Sequence, residues 1–499
     1  MNISLILQMA ADAAPDRIGL VCGDKRWTYG DLLKAAHGAA NLITASGAAH
    51  VALLDESSEA AVIALFGAAL AGVPYVPLNY RLADANLGPL VDRIAPALLI
   101  GDGARAARTA TRSDNIPITR EDFVTAALSR GNGVTASEGP DGETIAIQLF
   151  TSGTTAAPKA AILRHSNLLS YILGTVEFAA ADEGEAALVS VPPYHIAGIA
   201  ALLSSIYAQR RILLLPSFDP AAWLSLAVAE GASNAFVVPT MLARIIEHMD
   251  KNAHPGVASL KAIAYGGGRM PLELIHRALD LFPQTGFTNA YGLTETSSTI
   301  AILGPEDHRA AHGASAPVIR GRLGSVGRPL PTVEIEIRDE EGRVMPVGER
   351  GEIYVRGEQV SGEYRERSAL DAQGWFPTRD AGWLDSDGYL FLAGRADDVI
   401  VRGGENMSPG EIEDVVLEHP AIADACAVAI PSVEWGEAVG LAVTLRDGHR
   451  APAESVLCDL IRGRLRSSRV PEKVLVVPAL PYNEMGKLLR REVKTWFKN

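Results

Sequence analysis

The chain has 499 residues, of which 48% are hydrophobic and 21% charged, a composition that buries a large core and excludes disordered and collagen-like classes. Its 45 Lys and Arg against 59 Asp and Glu leave a net charge of -14, and such a surface repels a phosphate backbone, which argues against nucleic acid as a partner. Three widely spaced cysteines, Cys22, Cys426 and Cys458, make no disulfide or metal-ligand pattern and point to a reducing cytoplasm.

In chain order, the opening residues 1–9 read as a short amphipathic helix, because no basic segment precedes the apolar run and Gln8 and Asp12 interrupt it too early for a signal sequence. Residues 60–79 carry no charge and are long enough on paper to cross a bilayer. Gly67, Gly72, Pro74 and Pro77 break that run, so the expectation is a buried helix ending near Gly72, a short strand at Tyr75-Val76 and no membrane span. Up to about residue 310, β-rich apolar runs at 51–54, 97–100, 144–150, 187–191, 211–215, 235–238 and 261–265 alternate with Ala/Leu-rich helical stretches. That alternation predicts α/β architecture with helices on both faces of a doubly wound sheet.

Past Gly324 the texture changes to period-2 segments at 333–337 and 351–355 with turns such as Asp387-Gly388, the pattern of a small antiparallel β-barrel or sheet. After Asp397 the order is loop, helix from Pro409, strands at 424–430 and 440–444, helix at 455–466 and strand at 473–477. This predicts a compact α+β unit of about one hundred residues.

The strand at 144–150 runs into Thr151-Ser152-Gly153-Thr154-Thr155-Ala156-Ala157-Pro158-Lys159, which gathers four hydroxyls, a glycine and a lysine. Hydroxyls and backbone N–H groups can wrap phosphate oxygens while a lysine supplies charge. The residues alone read equally as a Ser/Thr turn, and the Walker A spacing is absent.

This loop resembles the signature loop of the adenylate-forming superfamily, which holds acyl-CoA synthetases, aryl-CoA ligases, luciferases and peptide-synthetase adenylation domains. Four further stretches match that family in order: Asn289-Ala290-Tyr291-Gly292-Leu293-Thr294-Glu295, Thr378-Arg379-Asp380, Gly394-Arg395-Ala396-Asp397-Asp398 with Val399-Ile400, and Pro481-Tyr482-Asn483-Glu484-Met485-Gly486-Lys487. Weaker similarity reaches upstream to Trp27-Thr28-Tyr29-Gly30-Asp31-Leu32.

The resemblance implies a large N-terminal domain, 1–396, with a β-rich subdomain at about 320–396, and a smaller mobile C-terminal domain, 397–499. It implies an acyl-CoA synthetase that forms an acyl-adenylate from a carboxylic acid and ATP, then transfers the acyl group to coenzyme A. Thr151, Ser152, Gly153, Thr154, Thr155 and Lys159 would hold phosphates, Thr294 the α-phosphate, and Glu295 a Mg2+ ion. Lys487 would bridge the carboxylate and the α-phosphate. Adenosine would lie against Tyr291, with Asn289, Gly292, Gly267, Gly268 and Arg269 around the base. Asp380 would accept the ribose hydroxyls, and Arg395 would reach ribose or phosphate. Asp397 would be the hinge that exchanges Lys487 for Arg402-Gly403-Gly404, where pantetheine passes. Arg462, Arg464, Arg466 and Arg469 would meet CoA phosphates or form a solvated helix face. Without the resemblance, Thr294-Glu295 reads as a helix cap, Asp380 and Arg395 as surface ion pairs, and His195 as a structural histidine.

By the same analogy His195, Val238, Gly266 and Gly267 line the acyl pocket. The stretch 192–198 lacks the aspartate with which amino-acid-activating relatives pair the substrate amine, so an amine-free fatty, aryl or alicyclic acid is expected. The chain departs from the family in carrying Ala156 and Ala160 where glycine is usual, and Gly268-Arg269 where an alanine-proline pair is usual. These departures raise an alternative, a non-adenylating ligase that carries out only CoA thioesterification of a preformed acyl-adenylate. A homodimer is compatible with either reading.

Overall fold

The computed structural model describes residues 1–131, 141–151, 158–395, 398–402, 405–483 and 488–497. The long helix Tyr29–Ser46 starts in a capping box, in which Asp31 N–H donates to Thr28 Oγ1 and Thr28 N–H donates back to Asp31 Oδ2, so two helix-end donors are satisfied locally. The uncharged stretch around residue 65 forms helix Glu59–Ala71, buried along nearly its whole length and followed by strand Tyr75–Pro77. A helix that is apolar all round needs cover on every side. Here helices Ser4–Ala13, Tyr29–Ser46 and Arg120–Arg130 and strands His50–Leu54 and Tyr75–Pro77 supply it, and no described helix is long and apolar enough to cross a membrane.

The first sheet is eight-stranded, in the order Arg367–Ser368, Glu363–Tyr364, Lys159–Arg164, Ile145–Thr151, Tyr75–Pro77, His50–Leu54, Ala97–Gly101, Ile116–Thr119. The second is nine-stranded, in the order Arg328–Pro329, Ser298–Leu303, Gly286–Leu293, Ala262–Gly266, Asn234–Val237, Ala186–Val189, Arg211–Leu214, Ile18–Cys22, Lys25–Thr28. A single core joins them: Val51, Leu53, Leu98, Ile147 and Leu163 of the first and Leu20, Val189, Ile212 and Leu214 of the second pack on Ile6, Leu7, Leu32, Phe66 and Leu203 from the helices between. Outer helices cover the far faces, with Trp223, Leu242 and Ile275 on one side and Leu87, Val91 and Ala106 on the other. The doubly wound expectation is met, with element ends shifted by a residue or two.

The β-rich segment is a four-stranded antiparallel sheet, Glu334–Arg338, Gly351–Arg356, Phe376–Leu384 and Leu390–Arg395 in that spatial order. Its outer strands do not pair with each other among the described residues, so of the two expected forms, barrel or sheet, it is the open sheet. Period-2 alternation reports a half-buried strand and carries no information on closure. One face packs Ile337, Ile353, Val355 and Leu390 on Ile300 of the nine-stranded sheet.

In the C-terminal part, strands Ile400–Arg402, Glu405–Met407, Ile422–Ser432, Gly436–Leu445 and Lys473–Val476 form one sheet. Helices Pro409–Leu417 and Glu454–Arg464 bury Ile412, Val416, Leu457 and Ile461 against Val439 and Leu441 of that sheet.

Candidate functional site

In open α/β sheets, ligands bind beyond the carboxyl ends of the strands, and some of the sequence-picked residues stand at such ends. Thr151 closes Ile145–Thr151, Gly266 closes Ala262–Gly266, and Leu293 hands Gly286–Leu293 into the one-turn 3-10 helix Thr294–Thr296. Parallel pairing of Tyr265 with Asn289 and Gly266 with Ala290 sets Asn289 beside the loop that begins at Gly267. Gly267 takes a φ of 77°, a left-handed conformation that glycine adopts at no steric cost. Asn289 Nδ2 donates to Ser325 O at 3.3 Å.

Asp380 is the centre of one cluster. The Tyr291 hydroxyl donates to its Oδ2 at 2.7 Å, and Arg395 Nε lies 3.1 Å from its Oδ1. Asp380 and Arg395 face each other in register across antiparallel strands, and Arg395 Nη1 donates to Thr378 O at 3.0 Å. Arg379 holds a φ of 62°, and Asp380 N–H donates to Thr378 Oγ1 at 3.1 Å. Burial, then the Asp380 charge, pushes the Tyr291 phenol well above its ordinary value, so it remains a donor. Tyr291 packs in the core with Ile300 and Val333. A carboxylate has about four acceptor sites, so Asp380 keeps capacity for a further donor beside Tyr291 and Arg395.

A second cluster surrounds Glu295. Ser361 and Gly362 N–H donate to its backbone carbonyl at 2.9 and 3.1 Å, and the Tyr364 hydroxyl donates to its Oε1 at 2.6 Å. Lys159 Nζ stands 5.5 Å from the centre of the same Tyr364 ring, and Thr151 Oγ1 donates to Lys159 O at 3.5 Å. Burial, then the Glu295 charge, raises the Tyr364 phenol, which keeps its proton. Sequence reasoning missed Tyr364. It stands on the two-residue strand Glu363–Tyr364, which pairs with Lys159–Arg164 and is pinned there by Arg164 to Glu363 at 2.9 Å. The Glu295 carboxylate offers oxygen, the donor a hard divalent cation takes.

His195, Val238 and Gly266 follow or end three strands that are adjacent in the sheet, Ala186–Val189, Asn234–Val237 and Ala262–Gly266. The His195 ring centre is 4.5 Å from that of Tyr194, and its Nε2 is buried without a hydrogen-bond partner. Burial, assisted by the Arg81 charge, lowers its pKa to about 3. The imidazole is therefore neutral at physiological pH and able to meet a ligand through Nε2.

Three sets of arginines are engaged by other partners in this arrangement. Arg269, assigned to the nucleotide, directs its guanidinium to helix Pro409–Leu417, where Nη1 donates to Gly410 O at 2.7 Å and Nη2 pairs with Asp414. Arg402 is held inside its own domain by Ser468 O at 2.9 Å, Val470 O at 3.1 Å and Glu472 at 3.0 Å. The arginines near the end of helix Glu454–Arg464 meet carboxylates: Arg462 with Asp459, Arg464 with Glu418, and Arg466 and Arg469 with Glu405. Their charge is offset locally, which fits the solvated face better than a phosphate site. Ser152, Gly153, Thr154, Thr155, Asp397, Gly403, Gly404 and Lys487 lie outside the described residues.

Two packed α/β sheets, a carboxylate–tyrosine–arginine cluster that ties Gly286–Leu293 to the four-stranded sheet, and a lysine–tyrosine–glutamate cluster that bridges the two large sheets define an adenylate-forming enzyme. The chain belongs to the AMP-binding enzyme family, whose model matches residues 7–365, with the AMP-binding enzyme C-terminal domain matching 411–487. It is 31% identical to a 2-succinylbenzoate–CoA ligase of Geobacillus kaustophilus over 98% of this chain and 96% of that one. It is 30% identical to a feruloyl-CoA synthase of Amycolatopsis sp over 98% and 97%. Among solved structures it is similar to the o-succinylbenzoate CoA synthetase of Bacillus subtilis with its acyl-adenylate intermediate, at 28% identity and a TM-score of 0.84 over 98% of this chain and 97% of that one. It is also similar to the same enzyme with ATP and a magnesium ion, at 27% identity and a TM-score of 0.81 over 98% and 99%.

Proposed function

We propose that the enzyme activates an amine-free, aryl-bearing carboxylic acid. The chain is an acyl-CoA synthetase, an acid–thiol ligase that forms an acyl-adenylate from acid and ATP and passes the acyl group to CoA. The aryl preference is supported by the relatives named for 2-succinylbenzoate and ferulate and by the neutral, unpartnered His195 Nε2 beside an aromatic ring.

The observation that carries the residue roles is the contact set joining Lys159, Tyr364 and Glu295. A carboxylate attacking an anionic α-phosphate is repelled, and positive charge must be gathered at that point to offset it. Lys159 would supply charge to the phosphates, and Tyr364 would orient Glu295 so that its other oxygen meets the cation. Bound Mg2+ would neutralise phosphate charge. Asp380, braced by Tyr291 and Arg395, would take the ribose hydroxyls, and Lys487 would neutralise the reacting oxygens. The C-terminal residues 397–499 would then turn for CoA to enter.

A ligase confined to CoA transfer is less well supported. Ala160 lies in strand Lys159–Arg164 opposite Phe150, extended backbone where alanine carries no strain. Ala156 lies outside the described residues. Acid-dependent exchange of pyrophosphate into ATP, followed by a screen of aryl, fatty and alicyclic acids for CoA-dependent AMP release, tests both points. Exchange with no acid in the panel, alongside thioester formation from supplied acyl-adenylate, reverses the order of the two readings. Release confined to fatty acids removes the aryl assignment.

Tyr364→Phe keeps the ring under Lys159 and removes the hydrogen bond to Glu295. Hydrogen bonds to charged groups are worth about 1.5–3 kcal/mol when buried, and Tyr364 is half-buried, so roughly a three- to tenfold rise in the Mg2+ concentration for half-maximal exchange is expected. CoA transfer from supplied acyl-adenylate should be unaffected. An unchanged Mg2+ curve would refute the orienting role. A cytoplasmic setting is proposed on the three free thiols, and light scattering tests the homodimer.

A further inference from the structure

Three acidic residues of helix Pro409–Leu417 each meet a different arginine. Glu413 is held by Arg490, with Nη2 donating to Oε2 at 2.9 Å, and it accepts Ala427 N–H at 2.8 Å. Glu411 accepts Arg469 Nε at 3.0 Å. Asp414 takes Arg269. Arg490 and Arg469 belong to the same C-terminal unit as the helix, whereas Arg269 comes from the loop that starts at Gly267, beside the expected nucleotide base. Its Nη1 also donates to Gly410 O at 2.7 Å and lies 3.6 Å from Glu413 Oε2. The approach is close: a Cβ on Gly410 would sit 2.4 Å from Arg269 Cζ, so this guanidinium can lie on the helix only because residue 410 has no side chain.

The other crossings are weaker in kind. Arg446 reaches Glu273 at 3.2 Å with both side chains largely exposed, where water and salt screen the pair. Arg350 stands 3.7 Å from Glu411, which Arg469 already serves. Asp414, by contrast, is half-buried, although Arg269 itself is as exposed as Arg446, and burial raises the Asp414 carboxyl pKa while Arg269 opposes the rise. When the helix moves away from the loop, Asp414 loses this cation and must find water.

We propose that Arg269 is a positioning residue, a latch that ties the nucleotide loop to the C-terminal helix in one of the two arrangements the half-reactions require. This rests on the two-step synthetase reading above. One guanidinium fastens both the loop and the helix, so a change in the loop on nucleotide binding or adenylate release reaches the tail directly. The latch sets the balance between acyl-adenylate formation and CoA transfer.

Single-turnover rates of the two half-reactions test it, acyl-adenylate formation from acid and MgATP and thioester formation from supplied acyl-adenylate and CoA. Arg269→Gln is expected to change the ratio of the two rates by about fivefold or more, and Asp414→Asn, which lies outside the nucleotide site, to change it in the same direction. The double variant should match Arg269→Gln alone, because the second change finds no partner left to remove. Equal scaling of both half-reactions, or single effects that multiply in the double variant, overturns the latch. A parent enzyme that lacks both half-reactions removes the synthetase reading and the latch with it. A parent with both, whose ratio is unmoved by either substitution, removes the latch alone.

Discussion

Lys487→Ala is expected to lower acid-dependent pyrophosphate exchange by about 10²–10³-fold, the usual loss when one preorganised charge at a transition state is removed. Transfer from supplied acyl-adenylate to CoA should continue at the parent rate. Two anions must approach at phosphorus during adenylation, and Lys159, a cation at Glu295 and Lys487 together would offset that repulsion. In thioester formation the thiol attacks a carbonyl and AMP departs as the C–O bond breaks, with no second anion brought to phosphorus, so the step makes no comparable demand on this ammonium. Equal loss of both activities would contradict the division of labour. Lys487 lies in a segment bounded by Tyr482 and Leu488, which pair as an antiparallel bridge, with Leu489 N–H donating to Pro481 O at 2.8 Å.

Gly292→Ala should be the most disruptive single methyl group in the nucleotide region. A Cβ at 292 would stand 1.7 Å from Ser298 O and 2.8 Å from Thr299 Cα. Both are backbone atoms of the returning strand Ser298–Leu303, and the register breaks between Tyr291 and Gly292. The backbone there is already constrained, since Ser297 and Ser298 hold φ values of 56° and 117°. A loss of about 3 kcal/mol or more is expected, at the upper end of overpacking effects. Thermal melting with and without ATP measures it. A variant that melts with the parent and retains the ATP-induced shift would show that the strand yields without cost.

The parts of the fold legible in the sequence were those whose signal is local. Strands such as His50–Leu54 and Ala97–Gly101 are buried on both faces and so read as continuous apolar runs. Helix Glu59–Ala71 was separated from a bilayer span by its breakers alone. Edge and mixed strands were not legible: Lys25–Thr28 opens with two charged, exposed residues, and Gly286–Leu293 mixes small, polar and aromatic residues with no period. Motif positions carried Asp380, Arg395 and Glu295, yet motifs do not say what braces a side chain. Tyr364 donates its hydrogen bond to Glu295 across 69 positions, from an edge strand too short to have a period. Arg269 was assigned to the nucleotide because of its neighbours Gly267 and Gly268. Its partner Asp414 is 145 positions away, and no local pattern points there.

The helical filling shared by the two large sheets has an evolutionary corollary. With one layer serving both, neither sheet can slide without unpacking the other, and the block around the strand ends behaves as a rigid casting. Any large displacement the catalytic cycle needs is left to the segment after Arg395. If the acid is seated at the mouths of Ala186–Val189, Asn234–Val237 and Ala262–Gly266, as proposed, replacements there can adapt the site to a new acid without touching the casting, and the fold can diversify its substrates at little risk to its stability.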